Sequence, residues 1–234
     1  AAIIVDLGGD DVYLNNAGAS RPAIPVAVVF DLSGNDVYEQ ATQPAQGSGC
    51  LGVGMLIDAA GNDAYRAHRL AQGVGCLGVG LLLDAQGDDT YQGDRFLQGF
   101  ALFGIGMLVD DSGWDCYRAA GYAQGASMVG GFGALIETGG NDLYYAGGKY
   151  PDFRDPRNAT TSYSQGFSIG VRPADGRRGV SGGVGLLADF AGDDVYRADY
   201  FAQGSSYWYG LGILYDGDGN DQYLAGRYAQ GAGI

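Results

Sequence analysis

Histidine occurs once (His68), lysine once (Lys149) and cysteine three times in this chain of 234 residues. The single histidine sits where other repeats carry unrelated residues, which argues against a Ser–His–Asp relay or a histidine-built metal centre. Three cysteines cannot make a disulfide framework. Cys50 and Cys76 occupy the same place in successive repeats among apolar residues, and read as packed thiols. Only 13 basic residues stand against 27 acidic ones, and the net charge of −14 argues against a nucleic-acid partner or an anionic membrane surface. No apolar run approaches the ~20 residues of a membrane span, and no signal peptide is visible.

Glycine is abundant instead: 44 residues, 19 % of the chain, against a usual ~7 %. Much of it belongs to a repeated phrase, "DLGGDDVY" at 6, "DLSGNDVY" at 31, "DAAGNDAY" at 58, "DAQGDDTY" at 84, "DDSGWDCY" at 110, "ETGGNDLY" at 137, "DFAGDDVY" at 189 and "DGDGNDQY" at 216. The intervals between first residues are 25, 27, 26, 26, 27, 52 and 27, so the chain is an array of one unit of about 26 residues with one copy lengthened.

Each unit opens with Asp at i and Gly at i+3, the preference of a type I turn followed by a residue that tolerates positive φ. A short strand runs through the Tyr, Gln-Gly marks a second corner, and a longer apolar run such as "VGCLGVGLLLD" returns to the next Asp. Segments this short and glycine-rich are strands. Strands repeating every ~26 residues predict an all-β chain, a single-domain parallel β-solenoid (β-helix) of about eight coils over 1–234, stacked ~4.8 Å apart. A propeller blade needs ~40 residues or more. Two insertions, at about 146–163 and 169–182, lengthen the sixth unit.

Stacking turns the acidic residues into ladders. Of the 27, 21 lie in the turn phrase. One column is Asp6, Asp31, Asp58, Asp84, Asp110, Glu137, Asp189 and Asp216; the other is Asp11, Asp36, Asp63, Asp89, Asp115, Asp142, Asp194 and Asp221, with Asp218 beside the last copy. Like charges ~4.8 Å apart repel by roughly 1 kcal/mol in water and about 3–4 at an effective dielectric near 20. A Ca²⁺ ion between stacked carboxylates, its shell completed by turn carbonyls, offsets that repulsion. The metal-free alternative is that the first Asp caps its own turn while the second pairs with amide groups.

The stretch "GDGNDQY" at 217–223 resembles the glycine- and aspartate-rich nonapeptide of RTX proteins, a family whose repeats form a calcium-binding parallel β-roll. The resemblance covers about a third of each coil, departs in period, and implies one calcium-binding edge.

In "LGVGLLL" at 77–83 neither strand face is polar. Either the glycines point inwards to make room for a tyrosine ladder, or they form a flat surface for a second solenoid. The motif tyrosines read as a structural stack, with Trp114 and Trp208 as further candidates for sugar contact. Six of the 13 basic residues, Lys149, Arg154, Arg157, Arg172, Arg177 and Arg178, lie in the insertions, which either dock on a neighbour's acidic edge, bind an anionic glycan, or fold back on the rod. Identical carboxylates on every coil do not single out a catalytic pair. The chain begins and stops inside a returning strand, which suggests a fragment of a longer array or head-to-tail stacking of copies. The expectation is a non-catalytic, calcium-stabilised scaffold, adhesive or filament unit, extracellular or at the cell surface, that associates with itself. A β-helix that binds or cleaves polysaccharide through 149–180 is the alternative.

Overall fold

The computed structural model describes residues 1–174 and 178–233. The chain is an all-β solenoid. Its longer strands, Ala2–Val5, Val26–Asp31, Val53–Asp58, Val79–Asp84, Ile105–Asp110, Phe132–Glu137, Val184–Asp189 and Leu211–Asp216, form one parallel eight-stranded sheet in chain order. The strands that carry the motif tyrosines, from Val12–Leu14 to Gln222–Ala225, form a second. The register pairs equivalent residues without slip, as in Asp58 with Asp84 and Tyr65 with Tyr91.

A third face appears where two corners were expected. Two-residue strands at Gly49–Cys50, Gly75–Cys76 and Ala101–Leu102 pair with one another, and each is followed by a residue of positive φ, Leu51, Leu77 or Phe103. A leucine in the left-handed region costs about 1–2 kcal/mol in isolation. Here the repeated pairing of neighbouring coils fixes it.

The long strands settle the orientation of their glycines. Gly80, Leu82 and Asp84 face inwards; Val79, Leu81 and Leu83 face out. A methyl group on Gly80 would lie 2.1 Å from the Val74 carbonyl oxygen, so the narrow interior admits only glycine there. The glycine surface is therefore not a platform for a second solenoid. The turn glycines face a tighter limit: a Cβ on Gly87 would lie 1.5 Å from the Gly61 oxygen, at φ of +154°.

Leucines of the long sheet and tyrosines of the short sheet fill the core. Tyr13, Tyr38, Tyr65, Tyr91, Tyr117, Tyr144, Tyr196 and Tyr223 stack with centroids 4.7–5.0 Å apart and planes within 9°.

Candidate metal centre

The two acidic columns lie inside the solenoid. Asp31, Asp36, Asp58, Asp63, Asp84, Asp89, Asp110, Asp115, Glu137, Asp142, Asp189 and Asp194 are all at most 2 % exposed. Asp6, Asp11, Asp216 and Asp221, in the first and last coils, are half-buried, and Asp218 is exposed and outside both columns. An acidic outer edge was expected. The columns face inwards because the first Asp ends a strand whose alternation already points Leu82 and Asp84 to the core.

Each first carboxylate bonds to tyrosine. Tyr38 Oη donates to Asp58 Oδ2 on the next coil at 2.6 Å, Tyr65 to Asp84 at 2.6 Å, Tyr91 to Asp110 at 2.7 Å, and Tyr117 to Glu137 at 2.7 Å. Several also cap their own turn weakly, as in Ala60 N–H to Asp58 Oδ1 at 3.4 Å. From the second coil on, each second carboxylate accepts the backbone N–H of its counterpart one coil earlier: Asp36 N–H to Asp63 Oδ1 at 2.5 Å, Asp63 to Asp89 at 2.5 Å, Asp89 to Asp115 at 2.6 Å. Both contacts of the metal-free alternative are therefore made.

They do not satisfy the columns. The remaining oxygen of Asp36, Asp63, Asp89, Asp115, Asp142 and Asp194, Oδ2, is buried without a donor, as is Oδ1 of Asp84 and Asp110. Carboxylate oxygens from three residues converge within 4.8 Å of one another in Asp31/Asp36/Asp58, Asp58/Asp63/Asp84, Asp84/Asp89/Asp110, Asp110/Asp115/Glu137 and Asp142/Asp189/Asp194. In the first four, a coil contributes both its carboxylates and the next coil contributes its first, so neighbouring triads share a residue. Glu137 completes the fourth triad, and the fifth combines Asp142 with both carboxylates of the next coil.

Burial, then neighbouring carboxylates, push these groups far above the usual range: Asp63 and Asp84 to about 8, Asp89 to about 9, with Asp58 also raised. Burial first, with Asp110 next, raises Asp115 to about 9 and Glu137 to about 11. The triads could thus hold protons or a cation.

The donor set suits a hard cation. Two oxygens on opposite sides of a Ca²⁺ ion lie about 4.6–5.2 Å apart, twice its 2.3–2.6 Å bond length. Turn carbonyls are a poorer source of ligands than expected, since Ala60 O, Gln86 O and Ser112 O already accept the N–H of Gly34, Gly61 and Gly87.

Other ladders frame the site. At the Gln-Gly corner Gln72 Nε2 donates to Tyr65 O at 2.9 Å and Gln124 Nε2 to Tyr117 O and Tyr145 O at 3.1 Å, each glutamine being left-handed. On the outer rim Asp10, Asn35, Asn62 and Asp88 each accept the N–H of the next coil at 2.9–3.0 Å, until Trp114 ends the run. Phe96, Tyr122, Tyr163, Phe201 and Tyr228 form a second aromatic stack, at 4.8–5.1 Å. Its only mark in the sequence is a bulky residue two places before glutamine.

The inserted cations are largely engaged on their own rod. Lys149 Nζ is 2.8 Å from Asp94 Oδ1, a buried carboxylate that Tyr150 Oη also donates to and that Arg69 and His68 approach at 3.6 and 3.5 Å. Arg154 grips Asp152 with two hydrogen bonds and lies over Phe201 and Tyr228 at 4.7 and 5.0 Å. Arg172 sits 5.6 Å over Trp208. Arg157 and Arg178 are exposed, and Arg177 lies outside the described residues. Comparison with protein-family models, curated proteins and solved structures returned no match.

Proposed function

We propose that this chain is a calcium-stabilised β-solenoid acting as a non-catalytic scaffold or assembling unit, extracellular or at the cell surface. One observation carries the reading: a double column of buried carboxylates, each of the six inner coils leaving an oxygen without a donor. Among the described residues neither column makes an ion pair with Lys or Arg. Two carboxylates per coil balance one divalent cation per coil, and the likeness of the turn to the RTX repeat points the same way. A structural calcium load of this kind suits the calcium-rich exterior of cells.

Protons are the competitor, and pH separates the two. With folded-state pKa values raised from near 4 to about 8–9 for Asp63, Asp84, Asp89 and Asp115, the folded chain binds more protons than the unfolded one across that window. The stability these four groups contribute without metal is therefore full below about pH 4 and is lost as pH rises towards 9. Calcium needs the deprotonated carboxylates, so the stability it adds grows with pH. Thermal melts across about pH 5 to 9, with millimolar Ca²⁺ or with chelator, should diverge progressively. Coincident curves at about pH 8 would overturn the calcium assignment.

Assembly is ascribed to the outer face of the long sheet. Its outward positions are apolar on every coil, from Val53, Met55 and Ile57 to Leu211, Ile213 and Tyr215. Eight strands of about six residues make a face of roughly 34 by 20 Å, somewhat larger than the ~300–600 Å² apolar patch that a typical soluble monomer leaves bare. The occupant proposed for it is a second copy of the chain.

A further inference from the structure

Basic residues gather on the outward face of the short sheet. The position after each motif tyrosine points away from the core, and pairing places Glu39, Arg66, Gln92, Arg118, Tyr145 and Arg197 on successive coils. The three arginines are exposed and occupy alternate coils. The stacked tyrosines beneath them set the interval. Steps of 4.7 and 4.8 Å separate Arg66 from Arg118, and steps of 5.0 and 4.8 Å separate Arg118 from Arg197, a repeat of roughly 9.5–10 Å.

Two adjoining clefts, of about 460 and 310 Å³, follow this row and share Gln92, Gly93, Ala120 and Lys149. Arg66 lines the first, Arg118 and Tyr145 line the second, and Arg197 continues the row on the coil beyond the clefts. The carboxylates beside them are Asp94, already held by Lys149 and Tyr150, Asp199, whose Oδ2 accepts the Gly148 N–H at 2.7 Å, and Glu39 at one end. The acidic columns lie in the core behind the tyrosines. A rod of strongly negative net charge thus presents a local row of cations with a fixed period.

We propose that this groove binds a linear acidic polysaccharide laid along the solenoid axis, with one carboxylate or sulfate per disaccharide meeting Arg66, Arg118 and Arg197 in turn. Two sugar residues of an extended chain span about one such repeat. Each guanidinium matches a carboxylate or sulfate edge with a planar fork of donors. Arg197 lies over the Tyr145 ring at 5.7 Å, which steadies its guanidinium, and Gln92 supplies donor and acceptor groups for hydroxyls. Each strand of a duplex advances only about 3.4 Å of helix axis per phosphate, nearly three times more closely than the arginines.

Fluorescence anisotropy with labelled hyaluronate and chondroitin sulfate decasaccharides, at low ionic strength in calcium buffer, tests the assignment. Binding of either supports it, and the tighter probe identifies the anionic group. The exposed triple variant Arg66→Ala/Arg118→Ala/Arg197→Ala should keep the wild-type melting temperature and lose at least tenfold in affinity. Arg157→Ala/Arg178→Ala, on the insertions, should lose less than twofold. Failure of both probes to bind, equal affinity in the triple variant, or equally tight binding of a single-stranded oligonucleotide would overturn the proposal. These readings are independent of the response of the fold to chelator.

Discussion

Asp89 shows the chemistry of a coil at the scale of one side chain. Its Oδ1 accepts the Asp63 N–H at 2.5 Å, while its Oδ2 is buried among Asp84 and Asp110 with no donor. Replacement by asparagine keeps an acceptor, removes a charge and supplies an N–H₂ where the orphan oxygen stands. Metal-free Asp89→Asn should therefore be as stable as wild type or about 1 kcal/mol more stable above neutral pH, yet lose part of its response to calcium. Asp89→Ala strands the Asp63 amide and leaves a void, and should cost about 2–3 kcal/mol with or without the ion. Chemical denaturation of both variants in calcium and in chelator checks this. A calcium response undiminished in Asp89→Asn would place the ion elsewhere.

At the scale of the element, the turn is held together by its glycine. Gly87 combines a φ of +154° with a coil spacing that leaves 1.5 Å between an added Cβ and the oxygen below. Gly87→Ala must push two coils apart and should cost at least about 3 kcal/mol. Gly139, in the same turn phrase, has no neighbour closer than 3.7 Å and no positive φ; Gly139→Ala should be neutral or stabilising by up to about 1 kcal/mol. Equal melting temperatures for the two variants would contradict this account of the turn. The invariant spacing of Asp, Gly, Asp and Tyr made the turn and the stacked tyrosines legible in the sequence. The period fixed the sheet order. The third corner was not legible, because Leu77 in the left-handed region looks like one more apolar strand residue. The inward direction of Asp84 was equally hidden, since a charged residue closing an apolar strand ordinarily marks its exit to solvent. The fate of Lys149 and Arg154 depended on Asp94 and Asp152, two acids outside the repeated phrase.

The whole molecule separates its charge from its apolar surface. The acidic columns lie inside, the arginine row follows the short sheet, and the outer face of the long sheet carries no charged side chain on any coil. Two copies meeting through that face would each bury up to about 700 Å², close to the ~800 Å² per partner of a standard interface. What opposes them is their shared net charge of −14, screened beyond about 8 Å at physiological ionic strength. Above about pH 9, where most of the metal-free column carboxylates have shed their protons, calcium in the triads removes much of that charge, so at that pH association should tighten when calcium is added, beyond what equal ionic strength of a monovalent salt produces. Sedimentation velocity should show a dimer or larger oligomer in calcium and a shift towards monomer in chelator at temperatures where the chain stays folded. Leu81→Glu/Met107→Glu, which places two charges at the centre of the face, should abolish association while leaving the calcium-dependent rise in melting temperature intact. A variant that still associates, or wild-type monomers throughout the concentration range in calcium, would show that a second copy does not cover the long sheet.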